Sequence, residues 1–460
     1  MARAKKEAAL TPEERLQAAL VPDWERPYKL PENWCWTTVG TICDGFQYGY
    51  TEKATFEKIG PHFIRITDIG DGIINDSGAP YCKIDSDSFI KYKINKDDIL
   101  IARMGSVGEN GLATHNIDGV FASYLIRIVP RSNAKYVCNF LQTNLYWGQI
   151  SEKAQGTTRL NVNANVLKNL IIPLAPLAEQ QRIVDRIESL FAKLNEAKEK
   201  AQAVLDSFET RKAAILHKAF TGELTAKWRE ERGVGMESWE KRRINELARP
   251  RAGYAFDSKE FSNTGYQVVR MGNLYGETLD LFRKPVFISE DDVDDSILNR
   301  ALIKDGDILI TLTGTKYKRD YGYAVCVSSP NKLLVNQRIL CLTPFACVER
   351  NYLLYYLKSN LFRDVFFSCE TGGVNQGNVS SKFVENIEIP IPTFDEQLEI
   401  TTVLDRTLAH EQQAKEAAEA VLDQIDLMKK SILARAFRGE LGTNDPSEES
   451  AVELLKRTIL

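Results

Sequence analysis

Histidine is scarce in this chain. Only four occur, at 62, 115, 217 and 410, and none pair at metal-ligand spacing. Cysteine occurs eight times, at 35, 43, 82, 138, 326, 341, 347 and 369, yet no Cys-x-x-Cys pair exists. Scattered thiols of this kind are expected reduced and partly buried, not bridged or bound to zinc. No apolar run approaches the ~18 residues of a membrane span. The opening Met1-Ala-Arg-Ala-Lys-Lys-Glu is charged and has no apolar core, so a secretory signal is not expected and a cytoplasmic location is. There is no Gly-x-x-x-x-Gly-Lys-Ser/Thr phosphate loop, no Asn/Asp-Pro-Pro-aromatic tetrapeptide and no Gly-rich cofactor loop after a strand. The expectation is a non-enzyme, with no catalytic, cofactor or metal residues of its own. An excess of one charge is also missing: Lys plus Arg is 59, Asp plus Glu is 63, and the net charge is −4. A polyanion binder with this balance must gather its basic residues onto one face.

What the chain does have is a repeat. Ala178-Glu-Gln-Gln-Arg-Ile-Val returns as Asp395-Glu-Gln-Leu-Glu-Ile-Thr, and Ala203-Val-Leu-Asp206 returns as Ala420-Val-Leu-Asp423. Ile215-Leu-His-Lys-Ala-Phe-Thr-Gly-Glu-Leu224 returns as Ile432-Leu-Ala-Arg-Ala-Phe-Arg-Gly-Glu-Leu441. The offset is 217 residues throughout, and from Glu179 to Leu224 about 20 of 46 positions match. Upstream the match weakens. Asn161-Val-Asn aligns with Asn378-Val-Ser, Lys96-Asp-Asp-Ile-Leu-Ile with Lys304-Asp-Gly-Asp-Ile-Leu-Ile, and Phe63-Ile-Arg65 with Val268-Val-Arg270. The ends of the unit agree and its middle has diverged.

Each copy opens with a head of about 150 residues that reads as short strands joined by Gly-, Asn- and Asp-rich turns. Candidate strands are 98–102, 121–129, 307–311 and 340–343, with helical stretches at 134–147 and 349–367. Pro-containing extended segments at 173–176 and 390–392 then lead into one long helix per copy. The first has apolar or small residues at Ile183, Ile187, Leu190, Leu194, Ala197, Ala201, Val204 and Phe208, a heptad seam. The second gives Ile400, Leu404, Thr407, Glu411, Ala414, Ala418, Val421, Ile425, Met428 and Ile432. A helix of ~40 residues is ~60 Å long at 1.5 Å per residue. The expected fold class is α+β: two globular heads, each followed by a long helix, the helices pairing as an antiparallel coiled coil with pseudo-two-fold symmetry. The divisions are a 1–25 arm with a short helix from Thr11, heads at 26–176 and 239–393, spacer helices at 177–224 and 394–441, an exposed linker at 225–238 and a tail at 442–460. Two heads on such a rod could meet successive groove faces of a duplex, whose turn is about 34 Å.

The residues resemble one family, the specificity subunits of Type I restriction–modification enzymes. The carriers are Leu30-Pro-Glu-Asn-Trp34 and Glu237-Ser-Trp239 at the head starts, and the Ile-Pro runs ending at Gln180 and Gln397. Ala-Phe-x-Gly-Glu-Leu at 219–224 and 436–441, and Thr225-Ala-Lys-Trp-Arg229, complete the set. The second head start lacks the usual Leu-Pro. The resemblance spans 30–441 and implies two target recognition domains that read a bipartite, asymmetric site in double-stranded DNA. It implies docking to two modification (methyltransferase) subunits and, in the full complex, to restriction subunits, where S-adenosylmethionine, ATP and Mg would be used. No membrane partner is implied. The alternative is a non-catalytic coiled-coil scaffold that binds only proteins.

DNA contacts are sought in polar loops rich in Arg, Lys and amides. Arg103 and Ser106 follow a strand in the first head; Lys316, Lys318 and Arg319 follow its counterpart in the second. Arg159, Asn375 and Gln376 sit in Gly- and amide-rich segments just before the shared Asn-Val. Tyr48 and Tyr50 are expected to pack. Arg65 and Arg270, at matching places, are expected in a structural salt bridge or a backbone contact.

Overall fold

The computed structural model describes residues 11–154, 161–373 and 375–459. It divides into two units, one made of 1–201 with 420–460, the other of 202–419. Both long helices, Leu177–Phe220 and Phe394–Ala436, cross that division. Each unit therefore holds one head, the start of the helix that follows it, and the end of the other copy's helix.

In the first unit the head centres on a sheet ordered Cys43–Tyr48, Leu125–Pro130, Ile99–Ala102, Asn110–Leu112, Gly72–Ile74, Ile69–Gly70. A three-stranded sheet of His62–Ile64, Ile117–Phe121 and Lys93–Ile94 lies in the same head. Ile-Leu-Ile-Ala at 99–102 is buried on both faces, which a run of unbroken apolar residues favours over alternation. The second head has Ala248–Ala252, Ile339–Pro344, Ile308–Thr311 and Ala324–Cys326 in one sheet. Phe261–Ser262, Phe287–Ile288, Tyr266–Val269 and Leu333–Val335 form another. A two-stranded clasp closes each head at the helix start: Cys35–Thr38 with Ile171–Leu174, and Glu240–Arg243 with Glu388–Ile391.

The heads share a buried ion pair whose arginine has changed strands. Asp98 and Asp307 are equivalent: each carboxylate caps the turn before its strand, accepting from Asn95 N at 2.9 Å and Lys304 N at 2.7 Å. In the first head the partner is Arg127, which faces Gln47 across the ladder. In the second the partner is Arg251, which faces Cys341. Arginine and neutral residue have traded places while the carboxylate stayed fixed.

Two sequence readings need correcting here. The stretch 121–129 is two strands joined by a tight turn in which Leu125 N donates to the Ala122 carbonyl at 2.9 Å; Gly49 backs this turn, where a Cβ would stand 2.3 Å from the Phe121 and Ala122 carbonyls. Each helical stretch behind the heads is also two helices, restarted by hydroxyl caps: Thr143 accepts from Tyr146 N and Ser359 from Phe362 N.

In both units the long helices run antiparallel. In the first, Asn195 meets Lys429, and Arg182 reaches the Thr443 carbonyl. In the second, Arg211 meets Glu411 at 2.7 Å. Of the expected seam, Ile183, Ile187, Ala201, Phe208, Ile400, Leu404, Ala418 and Ile425 are buried, and Leu190, Leu194, Ala197 and Val204 half-buried. Ala414 is exposed, and Val421 and Met428 are 39% and 49% exposed, so none of the three lies in the seam. The inward line passes instead through Glu411, Lys415, Ala418, Leu422, Ile425 and Lys429. The lysines take these places because their stems cover aromatic rings: Lys415 lies over Phe208 at 5.0 Å and Lys429 over Phe191 at 5.5 Å.

A buried carboxylate ties each unit together. Glu179, in the first turn of its helix, accepts from Trp34 Nε1 at 2.7 Å, Thr443 Oγ1 at 3.1 Å and Asn444 Nδ2 at 2.9 Å. Glu396, its repeat partner, accepts from Trp239 Nε1 at 3.1 Å, Thr225 Oγ1 at 2.7 Å and Arg229 Nη1 at 2.5 Å. The expected exposed linker is thus an ordered element. Residues Ala226–Arg232 form a helix that buries Arg229, because Glu396 needs its charge matched. The tail likewise holds Glu179 through Asn444 and closes with the helix Ala451–Ile459. Aromatics fill the space beside these carboxylates. Phe437 packs on Tyr136 and Phe140, and Phe220 on Tyr352 and Tyr356.

Glu396→Ala leaves a buried guanidinium without its carboxylate and should cost about 3–5 kcal/mol. Glu179→Ala leaves only neutral donors and should cost about 1–3 kcal/mol. Denaturant unfolding of the two variants checks that order.

Candidate nucleic-acid interface

The diverged loops of the second head converge on a cleft of about 790 Å³. The 3-10 turn Met271–Asn273 and the hairpin Leu274–Tyr275/Thr278–Leu279 form one wall. The short ladder Thr313–Gly314 with Gly377–Asn378 forms another, carrying Thr315 on one side and Asn375 and Gln376 on the other. Arg283 and Arg338 also line it, and both extend into an adjoining cleft of about 460 Å³ with Arg270, Lys284, Asn336 and Gln337. Asp320 is the one acid among the lining residues, and its Oδ1 is taken by Thr315 N at 2.7 Å. The cleft therefore presents guanidinium groups and amides with little opposing charge, the set that binds phosphates and base edges.

Backbone contacts fix how the heads correspond. Arg103 N donates to Tyr124 O at 2.9 Å, as Leu312 N donates to Arg338 O at 3.0 Å. Ser123 N donates to Tyr50 O as Gln337 N donates to Tyr254 O. Tyr124, 53% exposed, thus stands where the second head has Arg338, and Arg103 stands where it has Leu312. One frame carries different side chains at the same points, exposed at Tyr124 and buried at Leu312.

The sequence candidates fall unevenly. Asn375 and Gln376 line the cleft. Lys316 does not line it but donates to the Gly372 carbonyl at 3.1 Å, holding the loop that bears them. Lys318 is exposed. Arg319 is directed elsewhere: its guanidinium lies over Phe367 at 5.1 Å and reaches Asp364 at 3.5 Å. In the first head Arg103 stacks over Tyr48 at 4.8 Å, with a buried Nε that has no partner among the described residues, and Ser106 is exposed. Arg159 lies outside the described residues. Tyr48 also accepts from Ala164 N, and Tyr50 packs on Tyr92 at 5.4 Å. Both structures expected for the paired arginines occur, one in each head. Arg65 makes a salt bridge to Asp68 at 3.0 Å, and Arg270 contacts the Lys284 carbonyl at 2.7 Å. Sequence reasoning missed Arg283, Arg338 and Tyr124. The available signal was Asn336-Gln-Arg338, an amide-and-arginine run between two apolar strands.

Behind the cleft, Glu277 at the hairpin tip pairs with Lys212 of the long helix and with Lys358 at 3.0 Å. Burial raises its carboxyl pKa, but the two lysines outweigh this and hold it below the ordinary glutamate value. A depressed carboxylate stabilises above its unfolded pKa, and that contribution is lost as pH falls through the folded value. Among the described residues no group of three or more His, Cys, Asp or Glu could hold a metal, and no helix is long and apolar enough to cross a membrane.

The family model described as "Type I restriction modification DNA specificity domain" matches residues 32–205 and again 236–420. The chain belongs to this family. The specificity subunit of the Type I restriction enzyme EcoKI, from Escherichia coli strain K12, is 25% identical over 436 residues, covering 90% of each chain. The HsdS subunit from Thermoanaerobacter tengcongensis shares the fold, with a TM-score of 0.62 at 20% identity over 91% of this chain and 100% of that one. A chain solved in work on complex assembly and conformational transition of the type I R-M system gives a TM-score of 0.63 at 20% identity, covering 90% of this chain and 100% of that chain. The specificity domain thus occurs twice here, and each match covers one of the heads described above.

The loop at 336–338 depends on one glycine. A Cβ on Gly253 would stand 2.2 Å from the Asn336 carbonyl oxygen, a backbone atom that cannot swing aside. Gly253→Ala should displace Arg338, costing about 1–3 kcal/mol in stability and weakening duplex binding. Thermal unfolding and a duplex titration of the same variant check both.

Proposed function

We propose that this specificity-family chain reads a split, asymmetric sequence in double-stranded DNA, one half-site with each head, and performs no chemistry itself. It docks two modification subunits and, in the full complex, restriction subunits. S-adenosylmethionine, ATP and Mg are used on those partners, in the cytoplasm. The observation that carries this reading is the pair of matched frames with different side chains at a matched turn, Tyr124 against Arg338. A cleft lined by Arg283, Arg338, Asn375 and Gln376 suits phosphates and base edges and so favours this reading over a scaffold that binds only proteins. The spacer helices set the gap between the half-sites.

The test is selection from a random duplex library at moderate salt, using the chain with the subunits it carries from its host. Enrichment of two short motifs at a fixed gap is expected, and no enrichment would refute the reading. Arg338→Ala should weaken binding by about tenfold and relax only one half-site. Lys316→Ala should weaken binding through its loop. Insertion of one heptad into a spacer helix should change the gap or abolish binding; an unchanged gap contradicts the spacing role.

A further inference from the structure

The two heads differ at one position that controls a cation. In each head an arginine ends a strand and starts a 3-10 turn, and the third turn residue caps it: Asp68 accepts from Arg65 N at 2.8 Å, and Asn273 from Arg270 N at 2.9 Å. The frame around this position is the same. Asn75 N donates to Asp68 O at 2.9 Å, and Asp280 N to Asn273 O at 2.8 Å. The second side-chain atom of the cap does different things. In the first head both carboxylate oxygens take the guanidinium, at 3.0 Å from Nε and 3.0 Å from Nη2. In the second head the amide nitrogen turns away and donates to the Asp280 and Arg283 carbonyls, each at 2.9 Å. Among the described residues no carboxylate lies within ion-pair distance of Arg270, and its Nε is buried without a partner. The same amide that leaves Arg270 its full charge also holds the segment that presents Arg283 to the cleft.

We infer that Asp68 and Asn273 are positioning residues that set the charge each head offers to the DNA backbone, so that the second head carries more of the phosphate contact than the first. This rests on the DNA-reading function above. Arg65 is neutralised within the first head, whereas Arg270, half-buried with its Nη2 on the Lys284 carbonyl at 2.7 Å, keeps an uncompensated charge beside the exposed Arg283 at the cleft. Asp68→Asn copies the arrangement of the other head and keeps the cap to Arg65 N, so the turn survives while the guanidinium is released.

The experiment is duplex binding by the complex as isolated from its host, measured across a salt series, for the wild type, Arg65→Gln, Arg270→Gln, Asp68→Asn and the Asp68→Asn/Arg65→Gln double variant. Each phosphate contact contributes about 0.9 to the slope of log affinity against log salt. Arg270→Gln should flatten the slope by about one contact, and Arg65→Gln should leave it nearly unchanged. Asp68→Asn should steepen it by about one contact, with affinity about threefold to tenfold higher at low salt, and the double variant should return to the wild-type slope. A purely structural role for Asp68 would lower affinity without steepening the slope, which overturns the inference. Equal slope changes for the two arginine variants overturn it as well. Wild-type complex that shows no salt-dependent duplex binding overturns the DNA-reading function itself, and this inference with it.

Discussion

A carboxylate in the first turn of each long helix is the joint on which the molecule depends. Glu179 and Glu396 are fully buried, and each draws in three donors from segments far apart in the chain. The positive end of the helix dipole favours a negative group at that place. The tryptophan fixes the start of the head against its own helix, and the threonine fixes the end of the other copy's helix against the same point. Each head therefore rests on both helices. The Ala-Phe-x-Gly-Glu-Leu motif serves the other copy's head, not its own: Phe220 packs against the second head and Phe437 against the first.

Around that joint the two units solve the same charge problem differently. Glu396 is matched by a buried arginine from the helix Ala226–Arg232, and Glu179 by neutral donors that include an asparagine of the tail. The linker and the tail are thus structural counterparts despite having no sequence similarity. The exchange between Arg127 with Gln47 and Arg251 with Cys341 follows the same logic. A buried charge is costly without a partner, and the strand that supplies the partner is free to change.

The architecture was legible from the repeat, because packing of a helix pair demands regular apolar spacing that survives divergence. The clasp tryptophans were visible too, as Trp34 and Trp239 at matched starts. The seam phase in the second helix was not. An apolar pattern selects Ala414, Val421 and Met428, whereas Lys415, Leu422 and Lys429 take those turns, the lysines with their stems against Phe208 and Phe191. The role of Arg229 was hidden because a charged run between domains reads as solvated until a buried carboxylate is found opposite it. Of the residues lining the cleft, Asn375 and Gln376 were singled out from composition. Arg338 and Tyr124 were not, since their equivalence rests on backbone hydrogen bonds around a turn that the residues alone present as continuous strand.

A shared frame with unlike loops explains how one chain can address two different half-sites while its helices and joints remain alike. A net charge of −4 is compatible with this, because the excess of cations is local: Arg270, Arg283 and Arg338 gather at the cleft of the second head, where Asp320 is the one acid among the lining residues. The most direct measurement is the host's methylated-base map compared with that of a strain lacking this chain. The account predicts loss of methylation at a single split sequence, two unlike short motifs separated by a fixed gap. Unchanged methylation, or loss at one continuous motif, would contradict it.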